Sequence, residues 1–114
     1  MIIKHSVNNQ VDIVELTGQL VMANAAEAQK ALKKIVEGGS NRLVIDFSGV
    51  DFMDSSGLSV LVLALKWIHA QKGRMALSNV SAKVQSLLAL TRLNEAFEIF
   101  ASAQAAADHL REET

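Results

Sequence analysis

The run Leu43-Val44-Ile45-Asp46-Phe47 carries a single polar residue and lies between polar turns. Five residues are too few for a helix, and β-branched and aromatic members favour a strand buried on both faces. Such a strand needs covering layers above and below its sheet. The next long apolar stretch, residues 58–70, has helical spacing, so the strand passes through a short loop into a helix. A helix after a buried strand implies a crossover to a parallel neighbour, and such crossovers are right-handed. An open α/β sheet is therefore the fold against which the rest of the chain is read.

The remaining segments fit it. Residues 2–6 and 11–17 read as strands joined by the turn Val7-Asn8-Asn9-Gln10, hence an antiparallel hairpin. Asn24 is expected to cap a first helix, with Glu27 in the capping-box position and Gly38 as its stop. Ala25, Ala28, Leu32, Ile35 and Val36 form its apolar stripe. Lys30, Lys33 and Lys34 fall outside that stripe and are interrupted by Glu27 and Glu37, which reads as a solvated face. The second helix spans about residues 56–71. Met75-Ala76-Leu77 gives the next strand, and Ser81 caps a third helix with Val84, Leu87 and Leu88 inward. Residues 97–100 form a last strand, Ser102 caps a last helix to about Leu110, and residues 111–114 are expected to fray. The expected architecture is one α/β domain, residues 1–114 with a core of about 2–110. Its sheet is mixed but mostly parallel, with about five strands, an antiparallel N-terminal edge strand and about four helices.

Composition narrows the function. The chain of 114 residues has no cysteine, which excludes disulfides and thiolate metal sites. A net charge of −1 argues against a broad electrostatic footprint for nucleic acid. The longest wholly apolar run, residues 60–65, is far below the roughly 20 residues of a spanning helix, and residues 1–5 are too short and polar for a signal peptide. The expectation is a cytoplasmic protein with no membrane or direct nucleic-acid partner, monomeric, with a dimer as the alternative.

The second helix carries more apolar surface than one sheet contact needs. At about 100° per residue, Leu58, Leu61, Val62, Leu65 and Ile68 share one face, and Val60, Leu63, Ala64 and Trp67 fill most of the rest. Either neighbouring helices flank it on both sides, or part of it meets a partner, with Leu63 and Trp67 as the candidates. The same wheel extended back one turn places Ser55 and Ser59 beside Lys66.

Catalytic readings find little support. No G-x-S-x-G elbow or S-x-x-K surrounds Ser55 or Ser56, and His5, His69 and His109 sit in no recognisable signature. The wheel places His69 towards the core face, in a packing role. Asp46, Asp51 and Asp54 lie close in sequence, but without metal-loop spacing they read as turn and cap residues. No glycine-rich nucleotide motif occurs, and a phospho-aspartate receiver built on Asp46 lacks the acidic pair after the first strand and a convincing lysine. The chain is expected to be no enzyme and to hold no cofactor and no metal.

The segment Phe52-Met53-Asp54-Ser55-Ser56-Gly57-Leu58 resembles the signature of the anti-sigma factor antagonist family, bacterial proteins built on the STAS domain. Leu16-Thr17-Gly18-Gln19-Leu20 is similar to that family's segment after the second strand. Residues 43–50 resemble its central strand and turn, Lys72-Gly73-Arg74-Met75 its helix-to-strand turn, and residues 88–93 a later helix end. Two places depart from the pattern: Gln19 and Val21 stand where an acidic pair is frequent, and Arg92 where glycine is common. The resemblance implies a STAS-like fold and a binding protein. Its partner would be an anti-sigma factor that is also a serine kinase, and binding would release the sigma factor. Phosphorylation of the serine after the motif aspartate would switch it off, and a serine phosphatase of the PP2C type would restore it. Carried to this chain, that serine is Ser55, with Ser56 as second candidate. The partner-binding set is Asp54, Ser55, Ser56, Gly57, Ser59, Leu63, Lys66 and Trp67. The alternative is a STAS module in a partner-switching circuit without a sigma factor, controlling secretion, motility or biofilm formation.

The division expected at the junction is that Ser56 helps begin the helix, Gly57 permits close approach, and Ser55 is exposed. A helix N-terminus tolerates the anion in the folded domain. Against a partner, the same phosphate adds about −1.5 to −2 charges to a surface built without them.

Overall fold

The computed structural model describes residues 1–112. Its elements are β1 (Ile2–Asn8), β2 (Val11–Thr17), α1 (Met22–Gly38), β3 (Arg42–Gly49), α2 (Ser55–Ala70), β4 (Arg74–Ser78), α3 (Ala82–Leu90), a 3-10 turn (Leu93–Glu95), β5 (Glu98–Phe100) and α4 (Ala103–Glu112). The sheet order is β1-β2-β3-β4-β5, with β1 antiparallel to β2 and every other pair parallel. The hairpin turn is tighter than expected: β1 continues to Asn8, and Asn9 and Gln10 alone make the reversal, with φ of 47° and 69°. Positive φ at both central residues suits the twist of the flanking strands.

β3 is the middle strand, and Leu43 through Phe47 are buried without a break. Alternate residues feed two cores. Leu43, Ile45 and Phe47 join Val14, Leu16, Met75 and Leu77 beneath α1, α2 and α3. Val44 joins Val11, Ile13 and Ala76 beneath α4, whose Ala106, Ala107 and Leu110 complete the second layer. Small alanines let α4 lie close to the sheet.

Several local expectations change. α1 starts at Met22, two residues before Asn24 can be its cap. Asn24 instead works from inside the first turn: its Oδ1 accepts the Val21 N–H (2.9 Å) and its Nδ2 donates to the Gln19 carbonyl (2.6 Å). Glu27 is exposed, and the helix runs through Gly38 to a cap at Gly39. A Cβ at Gly39 would strike the Asp12 carboxylate and lie 2.6 Å from the Ile35 carbonyl, so glycine is required there by crowding. Asp12, 4% exposed, accepts from the Ser40 N–H (2.8 Å) and hydroxyl (3.0 Å), and meets His5 Nε2 at 2.7 Å. It thereby ties the hairpin to the α1–β3 turn. Residues 111 and 112 do not fray: both belong to α4, and Arg111 donates to the Asn8 carbonyl (3.0 Å) and pairs with Asp108. Residues 113–114 lie outside the described residues.

α2 buries a different arc from the expected one. Gly57, Leu58, Val60, Leu61, Ala64 and Ile68 are buried, while Val62, Leu63, Leu65 and Trp67 are only half-buried. On a wheel of 100° per residue the buried centre is rotated by roughly 70° from the Leu58–Val62–Leu65 face. The rotation turns Gly57 and Ala64 inward, and Gly57 there faces Met53 and the Leu20 carbonyl. His69 consequently swings outward and is exposed, so it has no packing role.

Candidate functional site

Two backbone hydrogen bonds hold the β3–α2 loop. Leu20 and Met53 form an isolated parallel bridge; the Leu20 N–H donates to the Phe52 carbonyl (3.1 Å) and the Asp54 N–H to the Leu20 carbonyl (3.3 Å). The loop is thus held against the chain that leads from β2 into α1. Gly57 sits where these segments cross. A Cβ there would lie 2.6 Å from the Leu20 carbonyl and collide with the Met53 side chain. Close approach at Gly57 is as expected from the sequence.

The cap is Asp54, not Ser56. Asp54 Oδ1 accepts the N–H groups of Ser56 (2.9 Å) and Gly57 (3.3 Å), and its Oδ2 accepts the Met22 N–H (3.2 Å). One carboxylate therefore serves the first turns of α2 and α1 together. Aspartate outranks alanine-like residues at this position because its side chain satisfies donors the helix leaves open. Ser55 becomes the first residue of α2 and is exposed; among the described residues its hydroxyl makes no hydrogen bond. Its carbonyl accepts from the Ser59 hydroxyl at 3.1 Å. Ser56, by contrast, is half-buried.

Ser55, Ser59 and Lys66 share an exposed stripe on α2, flanked by half-buried Val62 and Leu63. The three residues lie on one side of α2, but Lys66 stands about 10 Å along the axis from Ser59 and about 16 Å from Ser55, so the wheel's alignment is not a contact. Trp67 is outside the stripe, packed in part against the main core.

The sequence matches the STAS domain family over residues 3–106. The chain belongs to the STAS domain family. An anti-sigma-B factor antagonist of Bacillus subtilis is 31% identical over 97 residues, which cover 84% of this chain and 88% of that one. The crystal structure of the Thermotoga maritima protein TM1081 has a TM-score of 0.89 at 27% identity, covering 96% of this chain and 94% of its own. The anti-sigma factor antagonist SpoIIAA shares the fold at 20% identity, with TM-scores of 0.84 for its unphosphorylated form and 0.74 for its phosphorylated form. The resemblance drawn from the Asp54-Ser55-Ser56-Gly57-Leu58 segment is therefore shown at the level of family, and the homologues carry the anti-sigma factor antagonist name.

In this STAS domain the departure at Arg92 has a physical reading. Arg92 adopts φ 60° and ψ 15°, a left-handed conformation that glycine enters without strain, and it pairs with Glu95 at 2.9 Å. Asp46, Asp51 and Asp54 are drawn apart: Asp46 is buried in a neutral hydrogen-bond cluster, Asp51 is exposed, and Asp54 is the cap. Among the described residues no group of three or more histidines and carboxylates converges for a metal ion. No helix of the described residues is long and apolar enough to cross a membrane.

Sequence reasoning missed the apolar surface around the loop. Met22, Phe52 and Leu90 are 76%, 46% and 82% exposed. Phe52 and Met53 face Leu87, Leu90, Lys83 and Ser86 of α3 across a groove of about 340 Å³. A signal was available: Leu90 falls outside the inward spacing of Val84 and Leu88, so α3 has an apolar residue with no core to enter.

Proposed function

We propose that this STAS domain is an anti-sigma factor antagonist whose surface around Ser55 binds a cognate anti-sigma factor with serine kinase activity. Binding releases the sigma factor, phosphorylation of Ser55 ends the interaction, and a PP2C-type phosphatase restores it. The single observation that carries the reading is the position of Ser55: an exposed serine, hydroxyl unengaged, at the start of a helix whose capping is done by its neighbour. Ser56 is the weaker acceptor, because it is half-buried and its N–H is held by Asp54.

The geometry supports an effect of phosphate at the surface. Asp54 already occupies the N–H groups of Ser56 and Gly57, so a phosphate on Ser55 does not take over those donors. It stays on the surface beside a carboxylate. The domain keeps its fold, and the added charge is felt by whatever faces it. A like charge or an unpaired phosphate at an interface costs several kcal/mol, about tenfold in affinity for every 1.4 kcal/mol. The stripe of Ser59, Leu63 and Lys66, together with Asp54, Ser56, Gly57 and Trp67 near it, forms the proposed contact surface.

The test is phosphopeptide mapping after incubation with the cognate kinase and ATP. Phosphate on Ser55, retained kinase binding by Ser55→Ala and weak binding by Ser55→Asp are expected. Phosphate on Ser56 alone, or tight binding by Ser55→Asp, refutes the assignment. Capture of the partner with its own partner tests the circuit: a sigma factor is expected there, and a different regulated protein would reassign the module.

A further inference from the structure

A second cleft opens at the same end of the sheet. The connections that follow β2, β3 and β4 place α1, α2 and α3 on one face, whereas the connection after β5 places α4 on the other. The chains leaving β4 and β5 therefore part to opposite faces. In open α/β sheets that divergence creates a crevice beyond the carboxyl ends of the strands, where ligands bind. Here the crevice has a volume of about 720 Å³, with Asn79, Val80 and Gln85 on one wall, Ile99 and Phe100 on the other, and Ser48 at the end of β3.

Its charge is of one sign. Behind the lining lies Asp46, only 5% exposed. Its carboxylate accepts from the Ser48 hydroxyl (2.9 Å), the Ser78 hydroxyl (3.0 Å) and Asn79 Nδ2 (2.7 Å). All three donors are neutral, and among the described residues no lysine, arginine or histidine forms an ion pair with it. Buried aspartates are ordinarily paired with a cation. The partners also fix the orientation of the lining. Ser48 has spent its hydroxyl hydrogen. Asn79 turns its NH2 towards Asp46, and Gln85 turns its NH2 towards the Val80 carbonyl (3.0 Å). Both amides thus direct their oxygens away from those partners. The cleft holds the amides of Asn79 and Gln85 and no basic side chain, is backed by a buried carboxylate, and is walled by two apolar side chains.

We propose that this cleft binds a guanidinium or ammonium group, a donor-rich cation whose flat or apolar body rests against Ile99 and Phe100. The site is separate from the Ser55 surface and stands whatever the role of that serine. The cation is supplied either by a small amine or guanidine or by the side chain of a bound protein.

The test is titration of the full chain with methylguanidinium chloride, followed through backbone amide signals of Asn79, Val80 and Ala101 by NMR. Saturable shifts with a Kd of about 1–10 mM are expected for so small a group. Acetamide and sodium chloride at equal concentration should not reproduce them. Asp46→Asn, which removes the negative charge behind the lining, should weaken binding about tenfold. Gln85→Ala, at an exposed position that leaves the core intact, should weaken it about threefold and keeps the test decisive if Asp46→Asn does not fold. Shifts that fail to saturate, equal shifts with acetamide, or unchanged affinity in the folded variants would overturn the proposal. N-acetylarginine methylamide separates the two sources. Binding at least as tight as methylguanidinium indicates a protein side chain, and weaker binding a free amine or guanidine.

Discussion

Replacing Asp54 by alanine tests whether one carboxylate joins the two helix starts. The substitution removes the acceptor for Ser56 and Gly57 N–H, and loss of an N-cap carboxylate costs typically about 1 kcal/mol. It also removes the acceptor for the Met22 N–H, an exposed bond at 3.2 Å worth about 0.5–1 kcal/mol. The favourable charge at the α2 N-terminus adds a few tenths, partly counted already. The sum is about 2 kcal/mol. With an unfolding entropy near 2.1 cal/mol/K per residue, a chain of this length loses roughly 8 °C in Tm. Asp54→Asn keeps one acceptor for the Ser56 and Gly57 N–H groups but loses the charge and, with an NH2 in place of Oδ2, the acceptor for the Met22 N–H, so it should lose about 1 kcal/mol. Urea unfolding followed by far-ultraviolet circular dichroism, with an unchanged slope, measures both. A loss below about 0.5 kcal/mol for Asp54→Ala would refute the bridging role. Equal losses for alanine and asparagine would show that the bonds to the Ser56 and Gly57 N–H groups contribute nothing, leaving the charge and the Met22 contact as the source of the effect.

Gly57→Ala gains helix propensity but drives a Cβ into Met53 and towards the Leu20 carbonyl; a net loss of about 1–3 kcal/mol in the same unfolding assay is expected. Burial opposes ionisation of Asp12, yet the Ser40 N–H, the His5 ring and the Ser40 hydroxyl hold its carboxyl below the ordinary value of 3.8. Because the folded-state pKa is the lower one, Asp12 contributes fully above that ordinary value and its contribution disappears as pH falls through the folded value. Stability measured against pH should therefore drop below about pH 4, and Asp12→Asn should be less stable at neutral pH with a shallower acid limb. Trp67→Ala should cost about 2 kcal/mol or more because the ring packs on the core, whereas Leu63→Ala should cost about 1 kcal/mol and chiefly weaken capture of the kinase partner. Leu90→Ser should change stability by less than about 0.5 kcal/mol, and a fall in partner affinity would extend the contact surface into the α3 groove.

Elements with strong local signals were legible. The unbroken burial of Leu43 to Phe47 follows from their apolar run, and Ser81 and Ser102 accept the N–H groups of Val84 (3.3 Å) and Ala105 (3.1 Å) as caps should. Helix starts set by tertiary contact were not. Val21 has no capping group, so nothing local marks the start of α1; Asn24 and the distant Asp54 supply the missing acceptors. At α2, reading Ser56 as the start overlooked that Asp54 could reach two residues forward. The wheel failed by rotation, because hydropathy alone ranks Val62 and Leu65 above Gly57 and Ala64. At Gly57 the Leu20 carbonyl and Met53 leave no room for a Cβ, a tertiary constraint that hydropathy does not register. The apolar rim of Met22, Phe52 and Leu90 comes from three separate elements, and only folding brings them round one loop.

The placement of α4 has a consequence for biosynthesis. Val11, Ile13, Val44 and Ala76 are made well before residues 103–112, the only described helix that covers them. Sheet order follows chain order, so each parallel strand can dock on the one before it and gain its covering helix on the first face as it emerges. The other face waits. At 5–20 residues per second the interval from β2 to the end of α4 is about 5–20 s, during which an apolar sheet surface has no lid of its own. A ribosome-stalled chain ending before Ala103 would be a natural client for a holdase chaperone, and the alanine-rich helix, unremarkable in the finished protein, is the step that ends that dependence.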